Sequence, residues 1–192
     1  MDTTHEETPE VLGGEEIYRG RVIDVALDTV REGEKTYVRE CVQHPGGASV
    51  VAVFDDRTVA LVRQYRHPAR RYLLELPAGR LEEGERPEDC AARELIEEVG
   101  YSAGRLEHLS EFYPTPGFCS ERLWVFLATG LTQGKQQLED DELVEVVRLP
   151  LQRALSMIAS GEIEDAKTII GLMLAAQRLG IQQNSDTDTA LE

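Results

Sequence analysis

No run of apolar residues in this chain approaches the ~20 needed to cross a bilayer as a helix, so a helical membrane protein is excluded. Cysteine is scarce: Cys41, Cys90 and Cys119 are the only three in 192 residues. They lie far apart with no CxxC pair, which excludes a disulfide scaffold and a cysteine zinc site. Basic residues number 20 against 36 acidic ones, for a formal net charge of −16. That balance argues against binding nucleic acid or an anionic membrane, both of which need clustered Lys and Arg. The opening segment MDTTHEETPE is acidic where a secretory leader would be basic and then apolar. No leader is expected, and the default reading is a soluble protein of the reducing cytoplasm.

What is present suffices for a core. Hydrophobic residues make up 41% and charged residues 29%, too apolar a mixture for a disordered chain, and the length suits one domain. Residues 1–16 carry six acids and no Lys or Arg, and 183–192 are polar. Both read as mobile tails. Residues 17–43 read as an N-terminal β segment with a turn at Arg31–Glu34. Residues 44–182 read as the main domain. There the pattern predicts strands at 50–54, 58–62, 73–76, 106–112, 122–128 and 143–149, and helices at 87–99, 151–160 and 166–179. A turn at Asp55-Asp56-Arg57 predicts a hairpin. Strands and helices interleave without regular βαβ alternation, so the expected class is mixed α/β with a mixed sheet.

The helix at 87–99 holds the chemistry. Pro87 suits its first turn, Glu88 and Asp89 its positive end, and Gly100 its C-terminal stop. Arg86 stands where a capping Ser or Thr is common, which predicts a poorly capped start. At about 100° per residue, Ala92, Leu95, Ile96 and Val99 form an apolar stripe, with Glu94, Glu97 and Glu98 opposite. Carboxylates three and four residues apart repel one another unless a cation sits among them. Arg93, four residues before Glu97, is placed to hold it. Taken alone, such a run is a solvated face. The preceding loop, Leu76-Pro77-Ala78-Gly79-Arg80-Leu81-Glu82-Glu83-Gly84-Glu85, changes that reading.

From Gly79 the chain runs five residues to Glu85, seven more to Arg93-Glu94-Leu95, one to Glu97-Glu98 and one to Gly100. This string resembles the Nudix box, the signature of hydrolases of nucleoside diphosphates linked to another moiety. Seven fixed residues would coincide by chance with a probability on the order of 10⁻⁹ per start site. Tyr101 is a mild departure, where the pattern usually has an aliphatic residue. Around the box, Arg63-Gln64-Tyr65-Arg66, the run Leu74 to Arg80 and a Pro-Gly-Phe loop at Pro116, Gly117 and Phe118 resemble the ADP-ribose pyrophosphatase branch over roughly residues 44–180. Enzymes that cleave GDP-mannose or other nucleotide sugars share much of this pattern. A non-catalytic nucleotide-sensing module would be expected to show a degraded box, and here every box carboxylate is present.

The resemblance implies a Nudix-type α/β/α sandwich with a small antiparallel sheet at its N-terminal side. It implies a metal site of Glu94, Glu97, Glu98 and the Ala78 carbonyl, supported by Glu85. It also implies catalysis by Glu97, with Arg93 holding it, and by a carboxylate of the second acidic run, Glu142 or else Glu139, acting on the attacking water. Hard oxygen ligands suit Mg²⁺, or Mn²⁺, better than zinc. A guanidinium pairs bidentately with phosphate, so Arg66 is the leading substrate grip. Arg63 is a second candidate, and Pro116, Gly117 and Phe118 form a substrate loop. Trp124 and Phe126, alternating in a strand, read as core. The N-terminal strands imply a homodimer. Residues 82–98 and 138–145 hold eleven units of net negative charge between them, so the acidity concentrates in the two segments assigned to metal and water.

Overall fold

A computed structural model describes residues 8–138 and 143–181, which fall into two compact units. The first comprises the chain up to Gly46 together with Tyr113–Arg122. Its body is an antiparallel meander of β1 (Glu10–Arg19), β2 (Asp24–Glu32) and β3 (Lys35–Gln43). The β2–β3 hairpin closes on Glu32↔Lys35, with Gly33 at φ +59 in the turn. A two-residue hairpin loop needs a residue that tolerates positive φ, and glycine does so without a Cβ clash. The segment Tyr113–Arg122 is stitched to β3: the Val42 amide donates to the Phe118 carbonyl at 2.7 Å, and the Ser120 amide to the Val42 carbonyl at 2.9 Å.

Two boundaries differ from expectation. Residues 10–16 are strand, not tail. Antiparallel pairing satisfies backbone groups whatever the side chains carry, and the Glu10–Arg31 and Glu16–Arg19 ion pairs offset part of the acid. The Tyr113–Arg122 loop groups with the N-terminal strands rather than with the domain that flanks it in sequence.

The second unit is a sandwich. Its sheet runs β12 (Val144–Pro150), β5 (Thr58–Arg66), β4 (Gly47–Val53), β10 (Leu123–Thr129), β9 (Arg105–Phe112). Short strands β6 (Arg71–Glu75) and β7 (Ala78–Arg80) pair with β5 and β4. The parallel β4–β10 pair among antiparallel neighbours makes the sheet mixed, as expected. A two-stranded ribbon of β8 (Tyr101–Ser102) and β11 (Thr132–Gln133) lies outside it. Alternation along β4 and β5 sends Val51, Val59 and Leu61 to one face, against α2 (Leu151–Ala159) and α3 (Ala166–Arg178). It sends Val50, Ala52, Ala60 and Val62 to the other face, against α1 (Pro87–Glu94). Strand residues alternate faces, so a strand covered on both sides reads as an unbroken apolar run. Phe126 is buried in the α1-side core, and Trp124 packs on it.

α1 starts without a side-chain cap at Arg86, which pairs instead with Asp89. At Glu94 the helix widens into a π-helical turn, Leu95–Val99, that ends on Gly100 at φ +77. This turn shifts the predicted stripe: Leu95 and Val99 are buried as expected, but Glu94 and Glu98 join them in place of Ala92 and Ile96. The buried residues are Cys90, Ala91, Glu94, Leu95, Glu98 and Val99, while Ala92 and Ile96 are only partly covered. That pattern repeats every four residues, more slowly than 3.6. A π turn bonds i to i+5 and so takes more residues per revolution. Cys90, Glu94 and Glu98 therefore stack along one line instead of drifting round the helix.

Candidate active site

Three neighbouring features set the site. β7 pairs with β4 through Ala48↔Gly79, placing the Ala78-Gly79 backbone beside α1. A Cβ at Gly79 would lie 1.7 Å from a Glu94 carboxylate oxygen. Only glycine lets Glu94 approach the β7 backbone this closely. One turn on, Glu98 accepts a hydrogen bond from the Ala78 amide at 2.9 Å. Glu94 and Glu98 are 5% and 2% exposed. Carboxylates are almost never buried this far without a partner that compensates the lost hydration.

Arg93 is the hub of the acid cluster. Its Nε and Nη2 donate to the two Glu85 oxygens at 2.9 and 3.0 Å, and Nη1 donates to Glu94 and Glu97 at 2.7 and 2.8 Å. The Glu97 contact is the one expected from their spacing. Hydrogen bonding to Glu85, then the charge of Glu94, raises the Arg93 pKa further. The same bond to Arg93 holds Glu85 below its ordinary range. Beneath them the Cys90 thiol, 3.6 Å from the Gly79 and Arg80 carbonyls, is pushed up to about 12, first by burial and then by Glu85. It stays a protonated packing group, since the thiolate is the reactive form.

The segment after β11 closes the end of the π turn. The Gly134 amide donates to the Gly100 carbonyl at 2.7 Å, the Gln137 amide to the Glu97 carbonyl at 3.0 Å, and Gln136 Nε2 to the Glu98 carbonyl at 2.6 Å. Carbonyls that a helix end leaves unpaired are thereby satisfied. Glu139 and Glu142 lie outside the described residues. The described residues on either side of them are anchored here, Gln137 at Glu97 and Val144 opposite Gln64 on β5.

A second ionic group lies on β5 and β6. Arg66 donates from Nε and Nη2 to the two Glu75 oxygens at 2.7 and 2.8 Å. Lys167, at the start of α3, reaches Glu75 as well and lies 3.0 Å from Asp165. Burial pushes the Glu75 carboxyl up, but Arg66 and Lys167 outweigh burial and hold it below its ordinary range. Glu75 raises the Arg66 pKa, with smaller contributions from Glu98 and Asp165.

Glu94, Glu97, Glu98 and Ala78 are therefore gathered as expected from their spacing, and Arg66 lies in the same unit, within the electrostatic reach of Glu98. Arg63 is not gathered with them. Strand alternation puts it on the opposite face of β5, where it stacks on Tyr72 at 4.1 Å and lies 3.5 Å from Glu145. Pro116, Gly117 and Phe118 form a turn in the first unit, closed by the Cys119 amide on the Thr115 carbonyl at 3.0 Å, with Phe118 exposed. Glu75, Lys167 and Gln64, whose buried Oε1 has no hydrogen-bond partner among the described residues, were given no role by the sequence, although Gln64 and Glu75 lie inside the motifs Arg63-Gln64-Tyr65-Arg66 and Leu74 to Arg80. A lone acid inside the apolar run Leu73–Leu76 was the available sign for Glu75.

Among the described residues, no three His, Cys, Asp or Glu side chains converge as a ready-made ion cage, and Glu94 and Glu97 are turned to Arg93. The donor set still fits a hard divalent cation. It consists of carboxylate oxygens on successive turns beside the half-buried Ala78-Gly79 backbone, with no Cβ at Gly79 to hold Glu94 away, and hard cations of this kind prefer oxygen.

Comparison with known proteins agrees with this geometry. The NUDIX domain family matches residues 43–170. The chain is 41% identical over 174 residues to an ADP-ribose pyrophosphatase of Bacillus subtilis (strain 168), covering 89% of this chain and 94% of that one. It is 38% identical over 172 residues to a protein of Bacillus methanolicus named methanol dehydrogenase activator, covering 88% and 91%. The crystal structure of an ADP compounds hydrolase superposes with a TM-score of 0.80 at 24% identity, covering 91% of this chain and 95% of that one, and so shares the fold. With its box residues assembled on a Nudix sandwich and two thirds of its length matched, the chain belongs to the NUDIX family of hydrolases, whose members generally use divalent metal ions.

Proposed function

We propose that this protein hydrolyses the diphosphate bond of ADP-ribose, with water, to AMP and ribose 5-phosphate. The observation that carries the reading is the placement of Glu94 and Glu98, both nearly buried against the Ala78-Gly79 backbone, on successive turns beside Glu97. Glu94, Glu97 and Glu98, with the Ala78 carbonyl, would hold Mg²⁺, or Mn²⁺ in its place. Bound there, the ion neutralises phosphate charge and lowers the pKa of water. Arg93 fixes the rotamers of Glu94 and Glu97, and Glu85 fixes Arg93. Arg66 grips a diphosphate oxygen. A carboxylate of the 139–142 run, Glu142 before Glu139, takes the proton of the attacking water. That role is supported by the anchoring of Gln137 and Val144 on either side of the run. The turn at Pro116, Gly117 and Phe118 contributes to the sugar or base side of the substrate.

The reading extends to a cytoplasmic homodimer. β1 is exposed along its whole length within its unit, and Val11, Leu12, Ile17, Tyr18, Val22 and Val38 leave an apolar surface there. A patch of this kind marks an interaction face. Light scattering coupled to gel filtration checks the mass, and a monomer at micromolar concentration contradicts the dimer.

The substrate test is a panel of ADP-ribose, GDP-mannose and other nucleotide sugars, incubated with purified protein and Mg²⁺ and resolved by chromatography. AMP and ribose 5-phosphate released fastest from ADP-ribose is the expected result. Intact ADP-ribose beside cleaved GDP-mannose reassigns the substrate.

A further inference from the structure

Glu75 is 1% exposed, an unusual place for a carboxylate on a short strand. It sits between two cations from distant parts of the chain, Arg66 on β5 and Lys167 on α3. Burying a charge is unfavourable unless it is paired and hydrogen-bonded, and here the pairing is thorough. The contact to Arg66 is bidentate, side-on through Nε and Nη2. Lys167 is itself seated by Asp165, which also caps α3 by accepting from the Thr168 amide at 2.9 Å and its hydroxyl at 2.6 Å. The Thr168 hydroxyl in turn accepts from the Leu76 amide at 2.8 Å, tying the residue next to Glu75 to the same helix start.

The orientation is informative. An arginine held through Nε and Nη2 keeps both N–H groups of Nη1 directed away from its carboxylate. The Arg66 side chain is 39% exposed while its partner is sealed. A flexible arginine on a strand edge would have to give up rotamer freedom on binding an anion. One clamped from behind has done so already.

We infer that Glu75, braced by Lys167, is the positioning residue for Arg66: it fixes the guanidinium so that Nη1 is presented to the diphosphate of the substrate. This rests on the assignment of Arg66 as the diphosphate grip. Lys167 shares the Glu75 carboxylate with Arg66 and holds it in place from the α3 side.

The test measures Kd for ADP-ribose by calorimetry in EDTA, and KM and kcat with Mg²⁺, for Arg66→Ala, Glu75→Gln, Glu75→Gln/Lys167→Met and Glu75→Gln/Arg66→Ala. Glutamine keeps the shape of Glu75 but offers one acceptor and no charge. Kd and KM should rise about tenfold in Glu75→Gln, the scale of one charge-assisted hydrogen bond, with kcat changed much less. Placed on Arg66→Ala, the same substitution should add nothing, because the group it positions is gone. Glu75→Gln leaves the Lys167 ammonium buried with Asp165 alone. If that variant does not fold, Glu75→Gln/Lys167→Met, which removes both charges, decides the matter with the same expected rise. A Kd raised by Arg66→Ala but unmoved by either Glu75 variant overturns the clamp alone. A Kd unmoved by Arg66→Ala overturns the grip and the clamp together.

Discussion

Two ionic clusters serve one unit of this protein, and they are built on opposite principles. Around Arg93, a single guanidinium meets Glu85, Glu94 and Glu97, with Glu98 one turn away on the Ala78 amide. Around Glu75, two cations meet two carboxylates, Arg66 and Lys167 with Glu75 and Asp165. In the contacts named, three carboxylates share one guanidinium in the first, while cations and carboxylates are equal in number in the second. A balanced buried group fixes geometry. An acid-rich group favours a further cation. The two should therefore fail differently: substitutions in the first cost turnover, and substitutions in the second cost substrate binding and acid resistance.

Glu98→Gln gives the largest effect. The amide can still accept from the Ala78 N–H, so the fold is kept, and removing one of several repelling carboxylates leaves the melting temperature equal or higher. Losing a metal-ligating charge worth several kcal/mol should lower kcat about 10³-fold. Single-turnover kinetics beside a melting curve checks both. Retained turnover would remove Glu98 from the metal site. A large loss of stability would make the acid cluster structural and erase the contrast.

Gly79→Ala comes next. The methyl would occupy the place of a Glu94 oxygen, 1.7 Å away. Either Glu94 turns out or β7 withdraws from α1. Activity should fall about 10²-fold, with a stability loss of about 1–3 kcal/mol from overpacking. A variant that keeps both would show that Glu94 has no need to lie against that backbone.

Arg93→Lys is milder. A lysine cannot bridge both Glu85 oxygens and also reach Glu94 and Glu97, because its ammonium is a point donor and not a planar fork. A fall in kcat of about tenfold with little change in KM is expected. A change mainly in KM would make Arg93 a substrate contact instead.

The contrast between the clusters also explains what could be read in advance. The Arg93 cluster is local: its members span Glu85 to Glu98, and motif spacing gathers them. The long sheet strands and the three helices were legible for the same reason, as β4, β10 and Val59–Val62 of β5 are buried apolar runs, whereas the short β7 was read as a turn because Pro77-Ala78-Gly79 carries turn residues and its pairing lies with β4. The Glu75 cluster spans 92 residues of sequence to Lys167, and only folding brings those residues together. Residues 10–16 of β1 were read as tail because their acids mimic a solvated segment while their pairing partners sit on another strand. The burial of Glu94 and Glu98 was inverted because a period of 3.6 was assumed where the backbone takes a π turn. Periodicity sees side chains and not the hydrogen-bond register beneath them.

The smallest effect concerns acid. The Glu75 carboxyl titrates below its ordinary value when folded, because Arg66 and Lys167 outweigh the burial that would raise it. A carboxylate whose folded pKa is depressed contributes stability that is fully present above its unfolded value, about 4.5, and is lost as pH falls through the folded value. Acidification also relieves self-repulsion in a chain of net charge −16, which acts in the opposite direction. The wild-type curve alone mixes the two, and a comparison separates them. Glu75→Gln/Lys167→Met removes one negative and one positive charge, keeps the net charge, and deletes the titrating group. The gap in melting temperature between wild type and this variant should hold steady from pH 8 to about 5. Below that it should shift progressively against the wild type as pH falls through the folded value. The sign of the gap at neutral pH is immaterial, since a buried ion pair and a packed apolar pair are often close in stability; its slope below pH 5 is what identifies Glu75 as a charged clamp. Parallel curves throughout would mean that the carboxyl titrates alike in the folded and unfolded chain, with its charged form gaining nothing from Arg66 and Lys167; a gap that moves against the wild type as pH rises above about 5 would mean that the buried carboxyl is protonated, which would leave Arg66 without its anchor.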